Sequence, residues 1–399
     1  MIKGNSNEKE NIKTAVILGA GFSLSLGVPA YAEVLKAIAR PLTGKANNLN
    51  DFQKRIDVEI TKHISKFLLD VFDYDATVDD DENVPSLEQV FAFIDLSTNA
   101  GIDTGQSLGS EYLPDKLNSL RRFLTYKLFL ILDKNVEPSP CGFIRKFLEK
   151  LLGSNYVSLN WDIVLEKRLM EMGQRFQYGV DETLVRTDTG IVTLTNKPPV
   201  AANSLTKIAK VYGSSNWAYC GNCHKIFCDM DEKITKNIQT DIFVRDIKKF
   251  YKPGETDEGP LASLKQELRK KANMKECPNC KYILGSHIAR FSYSKTFRTH
   301  TFASSWKLAE DILADAERWV FVGYSIPKAD YNFSHMLKCT QKRTDKPKDI
   351  VVIQKGEGAK KEYISLFGKR NIRYFDCGLD AFTANHLDKL EGKLPCMKP

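Results

Sequence analysis

The sequence predicts an α/β chain: a Rossmann-like parallel sheet with helices on both faces, interrupted by a helical insertion and a small cysteine-bearing module. Three observations predict it. An apolar run, Ala15 to Leu18, stops at Gly19-Ala20-Gly21 followed by Ser23, the pattern of a buried strand that turns tightly into a helix. Residues 305–375 alternate short apolar strands with helical stripes, as a sheet covered on both faces requires. Between these two regions, residues 42–150 carry helical stripes separated by loops.

Each element follows from local pattern. After the glycine turn, Pro29 suits the first turn of a helix carrying Tyr31, Val34, Leu35 and Ile38 on one stripe. Residues 51–73 place apolar side chains at 52, 56, 60, 64, 67, 68, 71 and 72, a helical face. An acidic loop follows, and helical stripes resume at 86–98 and 114–133. The strand signal returns at 154–159, ends at Asn160-Trp161-Asp162, and gives way to a helix over 163–172. Residues 176–211 mix short strands and loops, punctuated by Pro198-Pro199. A helix is then expected at 305–317, a strand at 319–323, a helix at 329–339, a strand at 350–354, a helix at 359–368 and a strand at 372–375. The resulting division assigns 1–41, 151–211 and 286–399 to the Rossmann-like domain, 42–150 to the helical insertion and 212–285 to the cysteine module.

Composition narrows the class. The chain has 399 residues, 42% of them hydrophobic and 27% charged, an ordinary globular balance. No apolar run approaches the roughly 18 residues of a membrane span, and the polar start has no apolar signal-peptide core. Nine cysteines, an odd number in a long chain, point to a reducing compartment and hence the cytoplasm. A net charge of +8 is spread out, with small clusters at Arg269–Lys275 and Lys342–Lys348. Without interleaved aromatics these read as solvated surface, and no direct nucleic-acid binding is expected.

Three constellations carry chemistry. Cys220-Gly-Asn-Cys223 and Cys277-Pro-Asn-Cys280 are two knuckles whose four thiolates suit a closed tetrahedral Zn²⁺, making 212–285 a zinc-ribbon module. His224 and Cys228 are nearby substitutes, but neither completes a knuckle. Asn160 and Asp162 stand at a strand's carboxyl end, where an amide and a carboxylate can bond ribose hydroxyls or a carboxamide; Asp162 is equally suited to cap the following helix. Gly323-Tyr324-Ser325 supplies a second turn with a hydroxyl at the same edge, or a plain strand-helix turn. Gly19, Ala20, Gly21 and Ser23 lack the third glycine of the dinucleotide fingerprint, so they suit a phosphate-binding turn or a plain strand-turn-helix corner.

In order, these motifs resemble the sirtuin family. GAGFS stands where sirtuins carry GAG-x-S, Ser158-x-Asn160-x-Asp162 matches their Thr-Gln-Asn-x-Asp run, and Val211-Tyr212-Gly213-Ser214 matches their Leu/Val-His-Gly. The knuckles and Gly323-x-Ser325 follow, so the resemblance spans residues 14–354. It is closer to the bacterial sirtuin-like NAD-degrading proteins of anti-phage defence. Those show Asn-Tyr-Asp followed by Glu, here Asn160-Trp161-Asp162 with Glu166, and His-Gly-Ser-x-Asn-Trp, here Gly213 to Trp217 after Tyr212. They also show Gly-Tyr-Ser-x-Pro, here Gly323 to Pro327. The Asp-Phe-Arg element of the deacylases is replaced by Pro29-Ala30-Tyr31-Ala32-Glu33.

The resemblance implies an NAD⁺ hydrolase releasing nicotinamide and ADP-ribose. Gly19, Ala20, Gly21, Ser23, Gly323 and Ser325 would hold the dinucleotide, Asn160 the ribose and attacking water, and Asp162 the carboxamide. It further implies a homo-oligomer working beside a HerA-type ATPase. Tyr212 departs from the family, which places a catalytic histidine there. A phenol with a pKa of about 10 is a poorer base near neutrality than an imidazole at about 6.5. The expectation is therefore a weakened or disabled hydrolase, with His287 or His300 as other sources of an imidazole. A catalytically silent NAD-binding assembly or sensor subunit is the alternative, and an NAD-dependent deacylase a further one.

Overall fold

The computed structural model describes residues 12–28, 31–42, 51–78, 84–99, 112–134, 142–179, 182–187, 190–195, 205–229, 244–252, 276–282, 284–288, 300–343, 348–369 and 372–391, with isolated positions at 254, 262, 263 and 266. Pro29, Pro198-Pro199 and the basic cluster Arg269–Lys275 lie outside the described residues, as do the side chains of His287 and His300.

A seven-stranded parallel sheet organises the chain. Its strands are β1 (Thr14–Leu18), β2 (Asn155–Ser158), β3 (Phe176–Gln177), β6 (Thr206–Lys210), β10 (Arg318–Val322), β11 (Asp349–Ile353) and β12 (Ile372–Phe375). They lie in the order β12-β11-β10-β1-β2-β6-β3. β1 is central because Ala15, Val16, Ile17 and Leu18 are apolar on both faces, with neighbours on each side to bury them. Leu18 pairs with Ser158 of β2 and Val322 of β10, so three strands end level. After β1 the chain moves outward to β2 and the edge strand β3, returns to β6 between them, and later crosses to β10 on the other side of β1. That reversal leaves a crevice at the carboxyl ends of β1, β2 and β10, where ligands of open α/β sheets bind.

Helices cover both faces. On one, Ala15 and Ile17 join Trp319, Phe321 and the helices α2 (Tyr31–Ile38), α3 (Asp51–Phe72), α4 (Leu87–Asn99) and α5 (Pro114–Lys134) in a single core. On the other, Val16, Leu18 and Val320 meet Phe22 of α1 (Ala20–Leu24) and the helices α6 (Gly142–Lys150), α7 (Val164–Glu171) and α12 (Gly378–Asn385). Between α7 and α12 run α8 (Val244–Lys248), α9 (His300–Asp315), α10 (Tyr331–Lys342) and α11 (Lys360–Phe367). Among the described residues no helix is long and apolar enough to cross a membrane.

The second sheet has the order β5-β4-β8-β7-β9, from β4 (Glu182–Thr187), β5 (Gly190–Thr195), β7 (Gly213–Cys220), β8 (Ile226–Cys228) and β9 (Leu284–Ile288). β7 pairs antiparallel with β8 and β9, and β8 pairs with β4. The cysteine-bearing sheet thus recruits strands from 182–195, upstream of residue 212, because the open edge of β8 needs a hydrogen-bonding partner.

The helical layer hides one charged pair. Lys127 on α5 is fully buried, 3.1 Å from Asp57 of α3, and its ammonium also donates to the Arg40 carbonyl and the Thr61 hydroxyl. The second Asp57 oxygen accepts from the Leu42 amide at 2.6 Å. Removing one member of such a pair strands the other charge without water, a cost of about 3–5 kcal/mol. Asp57→Ala should accordingly lower the denaturation midpoint far more than Lys54→Ala on the exposed face of the same helix, as read by circular dichroism in urea.

Candidate functional site

The carboxyl edge of the sheet is assembled by backbone contact. Gly19 donates its N–H to the Val322 carbonyl at 3.0 Å, and Gly21 donates to the Gly323 carbonyl at 2.9 Å. A Cβ on Gly19 would lie 2.6 Å from the Gly323 oxygen, and one on Gly21 2.6 Å from the Gly323 Cα. Gly323 itself has φ +63°, and its own Cβ would overlap Gly21 and the Phe22 nitrogen. The glycines therefore permit one turn to press on another. The Phe22 N–H is engaged with the Gly19 carbonyl, so these three amides already have partners within the protein.

Ser23, Asn160 and Asp162 come together across this junction. The Ser23 hydroxyl donates to Asp162 Oδ2 at 2.7 Å. It also accepts from Asn160 Nδ2 at 2.9 Å, while the same amide donates to the Gly19 carbonyl at 2.8 Å. Asn160 is 5% exposed, and its Oδ1 has no hydrogen-bond partner among the described residues. Asp162 Oδ1 accepts from the Val164 amide at 3.1 Å, so the capping role exists alongside the clasp. Ser325 lies apart from it, exposed on the turn after β10.

A buried polar chain supports the Asn160–Asp162 loop. Lys210, fully buried at the end of β6, donates to the Asp162 carbonyl and lies 3.2 Å from Glu166. Glu166 accepts from Tyr178 at 3.1 Å, Tyr178 accepts from Asn216 at 3.2 Å, and Asn216 accepts from Ser214 at 2.7 Å. Burial pushes the Glu166 carboxyl above its ordinary range, and the Lys210 charge pulls only partly against it. The Ser215 amide closes the circuit on the Trp161 carbonyl at 2.7 Å.

Tyr212 sits between β6 and β7, flanked by two bonds to the β2 loop: Val211 N–H to the Ser158 carbonyl at 3.3 Å, and the Ser215 bond already described. Its hydroxyl donates to Asp330 Oδ1 at 2.7 Å, and the Tyr324 hydroxyl reaches Asp330 Oδ2 at 3.3 Å. The ring meets Trp306 of α9 edge to face at 6.1 Å between centroids, and Trp306 in turn donates to the Val211 carbonyl. Sequence reasoning missed Asp330, Lys210 and Tyr178. Lys210 left a signal, a lone cation in the otherwise apolar stretch Ile208 to Val211. Asp330 left none.

Cys220, Cys223, Cys277 and Cys280 converge with all four sulfurs within 4.8 Å of one another. Cys220 and Cys280 lie 3.4 Å apart, Cys223 and Cys277 3.7 Å. A tetrahedron with Zn–S bonds of about 2.3 Å has edges of about 3.8 Å, so the cluster fits zinc. Hydrogen bonding from the Asn222 side chain and the Tyr282 backbone holds the Cys280 thiol down to about 6, near the thiolate form that a metal takes. Four sulfurs leave no open position, so the ion would hold the fold. His224 and Cys228 are outside this set.

No protein-family model matches the chain, and no curated protein matches it. Solved structures similar to it include Sir2 with a p53 peptide and NAD⁺, 11% identical over 94% of this chain and 92% of that one, TM-score 0.39. Sir2 bound to an acetylated peptide is 12% identical over 94% and 92%, TM-score 0.39.

Two outcomes check this geometry. The purified protein should carry about one zinc per chain by elemental analysis, and Cys277→Ser should lose most of that metal and melt at lower temperature. Gly323→Ala should destabilise by about 3 kcal/mol, since left-handed strain and overlap with Gly21 add. Gly356→Ala, also at positive φ but with open space around it, should cost distinctly less in the same melting experiment.

Proposed function

We propose that the carboxyl edge binds NAD⁺ and hydrolyses its nicotinamide–ribose bond, releasing nicotinamide and ADP-ribose. The observation that carries this reading is Asn160, whose amide nitrogen is fixed by Gly19 and Ser23 while its buried Oδ1 has no hydrogen-bond partner among the described residues. An acceptor desolvated in this way gains most from a ligand hydroxyl or an attacking water. Its place at the reversal of strand order is where a dinucleotide would lie.

The chemistry asks little of an acid. Nicotinamide departs from a pyridinium as a neutral molecule, taking the electron pair of the C–N bond, and the ribose carbon develops oxocarbenium character. The protein has to orient the ribose, exclude water from the wrong face and place one water on the right one. Asn160 Oδ1 would receive that hydroxyl or water, and Asp162 would face the carboxamide from a loop held by Lys210 and Glu166. The turns at Gly19–Ser23 and Gly323–Ser325 would line the pyrophosphate, with Ser325 the hydroxyl still open to solvent. Tyr212 in place of histidine would leave this hydrolase slow. By the same motif resemblance, the setting would be anti-phage defence, as a homo-oligomer with a HerA-type ATPase, and the cysteine usage points to the cytoplasm.

Calorimetric titration with NAD⁺ and chromatographic assay of nicotinamide test the proposal. Wild type should bind NAD⁺ and release nicotinamide slowly. Tyr212→His should raise release at least about tenfold, the lower part of what a matched general base contributes. Asn160→Ala should abolish release in both backgrounds. Binding without cleavage in either form would leave a silent NAD-binding subunit, and NAD-dependent deacylation of an acetylated peptide would point to a deacylase.

A further inference from the structure

Tyr212 and Asp330 are joined by more than packing. Asp330 is 6% exposed, yet its carboxylate has a phenol on each oxygen, Tyr212 at 2.7 Å and Tyr324 at 3.3 Å. A phenol by itself is a weak base near neutrality because protonating it makes an oxonium. A phenol already donating to a carboxylate is different: it can take a proton on its lone pair as its own proton passes to the acid. We infer that Tyr212 and Asp330 form a proton relay, in which Tyr212 removes a proton from the attacking water and Asp330 receives the phenolic proton.

This rests on the NAD⁺ hydrolase reading and supplies the base that Tyr212 alone lacks. The balance is complete. Water forms a bond to the ribose carbon as the C–N bond breaks toward nicotinamide, and the water's proton goes to the Tyr212 oxygen. The Tyr212 proton goes to Asp330 Oδ1, leaving a neutral tyrosine and a carboxylic acid that later loses its proton to solvent. Position supports the first step, because Tyr212 is flanked on both sides by hydrogen bonds to the 158–161 loop that carries Asn160. Asp330 acts in this step through Tyr212; it is a positioning residue that also stores the proton.

The test compares NAD⁺ affinity by calorimetry with nicotinamide release for wild type, Asp330→Asn, Tyr212→Phe and the double variant. Folding is checked by thermal melting. The relay requires that wild type cleave NAD⁺ and that each single variant lose about 10²-fold or more in kcat, with affinity changed by less than about threefold. The double variant should be no slower than either single one, since the two residues act as a unit. Asp330→Asn cleaving at the wild-type rate would overturn the relay, as would additive losses in the double variant. Wild type that binds NAD⁺ without cleaving it, while Tyr212→His cleaves, would overturn the relay and leave the site reading standing. Absence of NAD⁺ binding in wild type would remove the site reading, and the relay with it.

Discussion

The contact between the Gly19–Gly21 turn and Gly323 is the constraint on which the site depends. No side chain separates the two backbones, and each turn binds the end of the neighbouring strand or turn through an amide. That contact sets the carboxyl ends of β1 and β10 at one level. It also directs Ser23 inward, where its hydroxyl can reach Asp162 and receive Asn160. Had a methyl group stood at any of these glycines, the turns would separate and the clasp between β1 and β2 would lose its geometry. The glycine pattern therefore serves close approach of backbone to backbone as directly as it serves a phosphate.

The polar chain beneath the clasp extends the same logic toward the cysteine cluster. Burying Lys210 and Glu166 costs several kcal/mol of desolvation per ion before their attraction is counted. Such a pair contributes little net stability, and what it contributes here is position. Lys210 holds the Asp162 carbonyl, while Glu166 holds Tyr178 and, through it, Asn216 on β7. β7 ends at Cys220, one of the four sulfurs. β7 is tied to the 158–161 loop near its start, and a zinc held at its Cys220 end would make the second sheet part of the site's scaffold.

Legibility in the sequence followed burial. β1, β10 and β11 lie within one residue of their expected spans because strands covered on both faces read as unbroken apolar runs. The long helices of 51–134 showed equally well through their stripes. β6 did not, since Thr206, Lys207 and Lys210 interrupt its apolar signal. The pairing of β4 with β8 was invisible, because two registered pairs, Glu182 with Phe227 and Thr183 with Cys228, leave no local pattern. The cysteine spacing did forecast the convergence of all four sulfurs. In the site, spacing singled out Asn160 and Asp162. Gly323 was singled out too, but its close approach to Gly19 and Gly21 is a contact that only the fold creates.

The Tyr212–Asp330 bond gives an apparently unfavourable residue an acidic partner. The two positions follow β6 and β10, which are three strand spacings apart, about 14 Å. Their side chains meet only because the loops lean over the ends of β1 and β2, each fastened by its own aromatic partner, Trp306 behind Tyr212 and Tyr324 beside Asp330. A tyrosine judged by its residue type is a poor base. Judged by what its hydroxyl touches, it is one half of a pair whose acidic half was absent from every motif.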